Sequence, residues 1–180
     1  NEPTRVAVAG AAHKLVLQSV QRAVEQGLII PLLVGRENEI REEAEAIGWE
    51  VDRQLIVPTS TNLAAADVAV DLVRRGEAQI LMKGYLHTDE VLHAVLRHDT
   101  GLRTDRLLSH VFVLEVPTYH KLLLITDAAI NIHPDILQKA AITQNAVDLA
   151  RKLGVELPKV AVLSSVETIN PNIPSTVHAA

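Results

Sequence analysis

Hydrophobic positions in the first part of the chain alternate between two rhythms, short unbroken runs and a helical recurrence. The runs read as buried strands and the recurrences as helices with one apolar face. Residues 5–9 (RVAVA) form the first run and end at Gly10; Leu15, Val16, Val20, Ala23 and Val24 follow at helical spacing, with Gly27 as a stop. Residues 28–34 (LIIPLLV) predict a second strand, in which Pro31 points to an edge or a strand start because it brings no N–H to a ladder. A charged helix over 37–47 closes at Gly48, and a brief strand over 55–57 is cut off by Pro58. Asn62 reads as the cap of an alanine-rich helix over 63–75, with Gly76 after it. Residues 80–82 (ILM) predict a fourth strand, which runs through Lys83-Gly84 into a helix starting near Thr88, with Val91, Leu92, Val95 and Leu96 on one face. Four strand–helix repeats imply a parallel sheet with helices on both faces and right-handed crossovers.

The rhythm then changes. Residues 109–116 (SHVFVLEV) and 121–126 (KLLLIT) read as strands joined through Pro117-Thr118-Tyr119-His120, and that spacing predicts an antiparallel pair. Pro134 opens a long helix to Leu153, stopped by Gly154; residues 159–163 (KVAVL) read as another buried strand, followed by a polar segment over 164–176. Clustered charge near 101–106, together with the change in topology, predicts a first α/β domain over 1–104 and an incomplete second α/β domain over 105–180. The chain begins without Met and stops at His178-Ala179-Ala180, in what reads as the first turn of a helix, so it is expected to be a piece of something longer.

Composition narrows the function classes. Of 180 residues 48% are apolar, enough for a real core, but there is one Trp, one Phe and two Tyr, so that core is Leu, Ile, Val and Ala. Scarce aromatics argue against single-stranded nucleic acid as a partner, which needs stacking platforms. A net charge of −5 argues against duplex DNA. Without Cys there is no disulfide framework, thiolate metal site or Cys nucleophile. There is no signal peptide and no apolar run of about 18 residues, compatible with a cytoplasmic enzyme that does not enter a membrane.

Polar clusters at the ends of apolar runs are where α/β folds put their chemistry. Lys83-Gly84 with His87-Thr88 combines a mobile cation, a residue that lets backbone approach a ligand, and a helix start that offers N–H groups to an anion. Asp89 and Glu90 work against an anion there, and in the ordinary reading Thr88 is an N-cap and Lys83 a solvated surface lysine. Asp127, close behind the run LLLIT, must be hydrogen-bonded or paired, and Asn131 follows it by one helical turn. It reads equally as a functional acid or as one that ties down a loop. Ser109-His110 is not a nucleophile–base pair, because neighbours on a strand point to opposite faces, and no G-x-S-x-G elbow is present. His110, His120 and His133 with Asp127 have no metal-ligand spacing, so no metal is assigned, and no G-x-G-x-x-G or Walker sequence is present.

The ordered strings LMKGYLHTDE, GLRTDRLLSHVFVLEVP, ITDAAINIHPD, QNAVDLARKLGV and PKVAVLSSVETINPNIPST resemble the phosphate acetyl/butyryltransferase family, over nearly the whole chain and most densely from Ile80 onward. The resemblance is closest to the butyryltransferase branch, including the form fused to enoyl-CoA hydratase. In the acetyltransferase branch a Ser commonly stands at the place of Lys83 and a Cys at that of Ala128.

The resemblance implies that acyl-CoA and inorganic phosphate give acyl phosphate and free CoA, with the CoA thioester as substrate and no resident cofactor. It implies two α/β domains like those of isocitrate and isopropylmalate dehydrogenases, with a cleft between them, and a homodimer. On the matched motifs, Lys83, Gly84, His87, Thr88 and Arg103 are expected to bind substrate, and Ser109, Asp127 and Asn131 to be the catalytic residues that line the facing wall. Ser164, Glu167, Asn170 and Thr176 are expected to close the cleft. The family's proposed base, an Asp in a later D-G-P…D-x-A segment, falls beyond Ala180. The 180 residues alone are therefore expected to be inactive and to expose an apolar face. Two other readings stand beside this one: a regulatory module that binds acyl-CoA without turnover, and a metal-dependent dehydrogenase of the same fold class.

Overall fold

The computed structural model describes residues 2–180, with the side chain of Asn62 outside that description. The chain divides into two compact units, Asn1–Arg103 and Thr104–Ala180.

In the first unit the four strand–helix repeats form as the hydrophobic pattern dictates. They are β1 (Thr4–Ala9), α1 (Lys14–Glu25), β2 (Ile29–Gly35), α2 (Glu37–Ala46), β3 (Ile56–Pro58), α3 (Asn62–Arg74), β4 (Ile80–Lys83) and α4 (Thr88–Leu96). All pairings are parallel, in the order β3-β2-β1-β4. Successive strand residues face opposite sides, so each strand feeds two cores. Val6, Val8, Leu33 and Ile56 pack with Leu17 and Val20 of α1 and Ile40 and Ala44 of α2. Ala7, Ala9, Leu32 and Val34 pack with Ala65, Ala66, Ala69 and Val70 of α3 and Val91 and Ala94 of α4. The result is three layers, a parallel sheet with a helix pair on each face.

Local details depart from the sequence reading where a neighbour decides them. Thr61, not Asn62, caps α3: its hydroxyl accepts the Ala64 N–H at 3.1 Å, and Asn62 is already the first helical residue. Either residue type serves as a cap, so composition could not choose between neighbours. Pro31 lies inside β2 rather than at its start, but β3 pairs with β2 only from Leu33 onward, so no ladder bond to β3 is lost.

In the second unit β5 (Val111–Leu114) and β6 (Leu123–Thr126) pair antiparallel, Val111 opposite Thr126. Helix α5 (Ile136–Lys152) follows, capped by Asp135, whose carboxylate accepts the Gln138 N–H while Gln138 answers at the Asp135 N–H. A short helix α6 (Pro174–Ala179) is joined to α5 by Lys139 Nζ donating to His178 Nδ1 at 3.0 Å.

The strand expected over residues 159–163 does not form. The segment takes no regular structure and has no ladder partner among the described residues, and Val160, Val162 and Leu163 are 53%, 51% and 86% exposed. An apolar run becomes a strand only where a neighbour accepts its backbone groups. Exposed apolar side chains are frequent throughout this unit; Phe112, Ile125, Leu137 and Leu157 belong to the same set.

Candidate active site

The strand order β3-β2-β1-β4 means that the chain proceeds outward on one side of β1 and then crosses to the other side with β4. Ligands of open α/β sheets bind at such a reversal, beyond the carboxyl ends of the two strands. Here those ends are Ala9-Gly10 and Lys83-Gly84, and they are built against each other. Gly84 N–H donates to the Ala9 carbonyl and Tyr85 N–H to the Gly10 carbonyl, both at 2.8 Å, so the pairing continues past the strands into the loops. Gly10 has φ +72°, and a side chain there would run into Leu86. A Cβ on Gly84 would meet the Gly10 carbonyl oxygen and lie 2.8 Å from that of Ala9. Both positions therefore require glycine, one for conformation and both for space.

From this platform the side chains follow. Lys83 Nζ donates to the Leu86 carbonyl at 2.9 Å, which folds the lysine back over its own loop. His87 is the N-cap of α4 and its N–H donates to the Glu90 carboxylate at 2.9 Å. Thr88 is thus the first helical residue rather than the cap, and it is exposed. Because Glu90 closes onto the His87 N–H, its charge is partly engaged locally. His13, the N-cap of α1, accepts the Leu15 N–H on Nδ1 and lies flat against Tyr85, ring centroids 4.2 Å apart and planes within 13°. Neither His13 nor Tyr85 was singled out from the sequence. The signal available was their place just past apolar runs. Arg103 is exposed at the end of the first unit.

A second cluster forms in the unit Thr104–Ala180. Asp127 follows β6 and accepts the N–H groups of His110 at 3.1 Å, Ile130 at 3.3 Å, Asn131 at 3.0 Å and Ala129 at 3.4 Å, together with the Asn131 side-chain amide. Burial pushes its pKa up, but the Asn131 amide and the N–H groups of His110, Asn131 and Ile130 outweigh that and hold it below the ordinary aspartate value. A carboxylate so held is a poor proton acceptor, and its geometry gives it the task of organising the 127–131 turn against residues 108–110. Asn131 completes that task by donating to the Leu108 carbonyl at 3.0 Å.

Ser109 joins the same network from the other side. Its Oγ accepts from the Asn145 amide at 2.9 Å, and Asn145 also donates to the Leu107 carbonyl at 2.8 Å. Both Ser109 and His110 precede β5 rather than lying within it. His110 sets its ring edge-on to Phe112 at 4.4 Å. Asn145 escaped the sequence reading, although a polar residue on the stripe Ile142, Asn145, Leu149 was a usable signal.

The remaining expected residues form a third, separate group. Ser164 Oγ and Ser175 Oγ are 2.8 Å apart. Thr176, 4% exposed, accepts the Asn170 N–H and shares its own proton between the carbonyls of Ile173 and Asn170, closing the turn before α6. Glu167 is exposed. Among the described residues no group of three or more His, Cys, Asp or Glu side chains stands close enough to hold a metal. Nor is any helix long and apolar enough to cross a membrane. Two shallow depressions, one along α4 from Asp89 to Arg97 and one at the Glu115–Leu122 turn, lie apart from these hydrogen-bonded clusters.

Residues 59–180 match the family model described as Phosphate acetyl/butaryl transferase. The chain belongs to that family. It is 47% identical over 178 residues to a phosphate acetyltransferase of Rhizobium meliloti, covering 99% of this chain and 56% of the relative. To a phosphate butyryltransferase of Clostridium acetobutylicum it is 41% identical over 179 residues, covering 99% of this chain and 60% of the relative. The crystal structure of a branched-chain phosphotransacylase from Enterococcus faecalis superposes with a TM-score of 0.82 at 35% identity, over 98% of this chain and 61% of that one. This member of the phosphate acetyl/butaryl transferase family thus spans between half and two thirds of the length of these relatives. The relatives carry both acetyl and butyryl names, so the names do not set an acyl chain length.

Proposed function

We propose that these residues belong to a phosphate acyltransferase, which takes a short-chain acyl-CoA, acetyl to butyryl, and inorganic phosphate reversibly to acyl phosphate and free CoA. A phosphate oxygen attacks the thioester carbonyl carbon. The C–O bond forms as the C–S bond breaks, and the electron pair leaves on the CoA sulfur, which takes up a proton. The CoA thioester is a substrate, so no resident cofactor is invoked.

The observation that carries this reading is the loop junction at the ends of β1 and β4. Gly10 and Gly84 are packed without room for a side chain, and the lysine beside them is held over the loop that leads into α4. Such a site binds an anion chiefly through positioned donors and charge, which is what in-line attack by phosphate needs. Lys83, Gly84, His87, Thr88 and Arg103 are the proposed substrate-binding groups. Ser109 is proposed to contribute its hydroxyl, in a segment that Asp127 and Asn131 keep in shape. The same reading carries with it a homodimer, a cytoplasmic setting, a full-length fold like that of isocitrate and isopropylmalate dehydrogenases, and a compatible fusion to an enoyl-CoA hydratase domain.

The test is CoA release from acetyl-, propionyl- and butyryl-CoA, with and without phosphate, by the 180-residue chain and by a longer protein that carries it. Phosphate-dependent release by the longer protein is the expected result. Tight acyl-CoA binding with no release by either would replace the transferase with a regulatory acyl-CoA-binding module.

A further inference from the structure

Asn145 Nδ2 lies 2.8 Å from the Leu107 carbonyl oxygen and 2.9 Å from Ser109 Oγ. A carbonyl oxygen only accepts, so the contact with Leu107 fixes which end of the Asn145 amide faces residues 107–109. That nitrogen carries two protons and accepts none. One proton goes to Leu107, and the other goes to Ser109 Oγ. Ser109 is thereby made an acceptor toward α5, and its own hydroxyl proton is left for a different partner. Among the described residues no group takes that proton. The Asp127 carboxylate is occupied by the His110 N–H, the N–H groups of its own turn and the Asn131 amide. The His110 ring stands edge-on to Phe112. Ser109 is therefore a half-buried hydroxyl with a set hydrogen-bond sense and no base bonded to it that would make it a nucleophile. A donor oriented in advance is worth most against an oxygen that carries or develops negative charge.

We propose that Asn145 is a positioning residue that commits the Ser109 hydroxyl to donate to a negatively charged oxygen of the reacting pair. This rests on the phosphate acyltransferase reading above and adds to it the sense in which one of its hydroxyls works. Two oxygens have the required chemistry: one of inorganic phosphate, and that of the thioester carbonyl as charge builds on it during attack. A bond to phosphate in the ground state shows in the KM for phosphate, and a bond made only to the developing oxyanion shows in kcat. Asn145 touches neither substrate and acts through Ser109 alone.

The experiment is a double-mutant cycle read as phosphate-dependent CoA release by a longer protein that carries this chain, with a urea midpoint for every variant. Ser109→Ala removes the donor and should lower kcat/KM about tenfold or more, the scale of a hydrogen bond to a charged group. Asn145→Asp keeps the shape but turns the donor into an acceptor, so the Ser109 proton swings toward the new carboxylate. Its loss should match that of Ser109→Ala within about threefold. In the Ser109→Ala background Asn145→Asp should change kcat/KM by less than about twofold, because no hydroxyl is left to orient. Asn145→Ala removes the donor without setting a charge beside the Leu107 carbonyl. It should fall between the parent and Ser109→Ala, and it carries the same cycle if Asn145→Asp does not fold. The proposal is overturned if Ser109→Ala keeps the parent's kcat/KM, or if the Asn145 variants lower the urea midpoint alone. It is also overturned if their losses in kcat/KM multiply with that of Ser109→Ala, as those of a merely structural residue would. Failure of the transferase reading looks different: the parent itself then releases no CoA in response to phosphate, and this role of Asn145 falls with it.

Discussion

Asn145, midway along α5, reaches Ser109 Oγ with its side-chain amide at 2.9 Å, and the same amide bonds the Leu107 carbonyl at 2.8 Å. One side chain thereby fastens the longest helix of the second unit to the segment that enters β5. Asn145→Leu should lower stability by about 1–3 kcal/mol, because it leaves a half-buried carbonyl and hydroxyl without their donor. Ser109→Ala should cost less, about 0.5–1.5 kcal/mol, because the amide keeps its bond to Leu107. Urea unfolding of both single variants and the double variant checks this. The double variant should fall short of the sum, and strict additivity would mean that the two side chains do not interact in solution.

Asp127 makes the second unit sensitive to acid in a defined direction. Its pKa in the folded chain lies below the ordinary value, so folding favours the ionised form. Its contribution is fully present above the unfolded aspartate pKa of about 3.9. It is lost as pH falls through the lower folded value. Asp127→Asn should therefore be less stable than the parent at neutral pH, by about 2–3 kcal/mol for bonds to a charged acceptor. The gap should stay constant down to about pH 5 and narrow below it as the parent's carboxylate takes up a proton. Urea midpoints of the two proteins along a pH series measure it. A gap that does not change with pH would separate the turn's stability from the carboxylate's charge.

The first unit was legible because its strands are buried on both faces and written as apolar runs with glycine punctuation. Every one of its strands and helices formed within a few residues of the pattern. What the pattern could not supply was anything decided by a neighbour. Thr61 and Asn62 are both competent caps, and only the chain's approach to α3 chose the threonine. Residues 159–163 spell a strand as clearly as residues 5–9 do, yet among the described residues they have no ladder partner, and they stay exposed. The site shows the same division. Lys83-Gly84 and Asp127-Asn131 stood out because they follow apolar runs. His13 and Asn145 did not, because their significance is a partner distant in sequence, Tyr85 for one and Ser109 for the other.

Gly84 offers a sharp steric test of the loop junction. A methyl group there would press on backbone atoms, the carbonyls of Gly10 and Ala9, and backbone cannot swing aside as a side-chain tip can. Gly84→Ala should cost about 1–3 kcal/mol, as overpacking does elsewhere, and should raise the KM for phosphate by displacing the loop. Gly76→Ala is the control: its φ of +74° makes it strained too, but nothing lies within 4 Å of the added carbon. It should lose stability without changing the KM for phosphate. Equal effects on KM from both would show that the junction has no special part in binding.

Lys83 can be separated into a loop strut and a phosphate ligand, because the two roles move different observables. As a strut it holds the Leu86 carbonyl at 2.9 Å, a bond worth about 1.5–3 kcal/mol with a charged donor when no water replaces it. Its exposure lets water replace much of that, so Lys83→Met should lower stability by about 1 kcal/mol at most. As a phosphate ligand the ammonium gives up an interaction on the same scale, and each 1.4 kcal/mol is about a factor of ten. On the proposed function, Lys83→Met in a longer protein that carries this chain should therefore raise the KM for phosphate about tenfold or more while the KM for acyl-CoA stays within about twofold. Lys83→Arg keeps the charge but not the compact ammonium, so it should recover part of the phosphate KM and little of the strut. A stability loss with both KM values unchanged would reduce Lys83 to the strut.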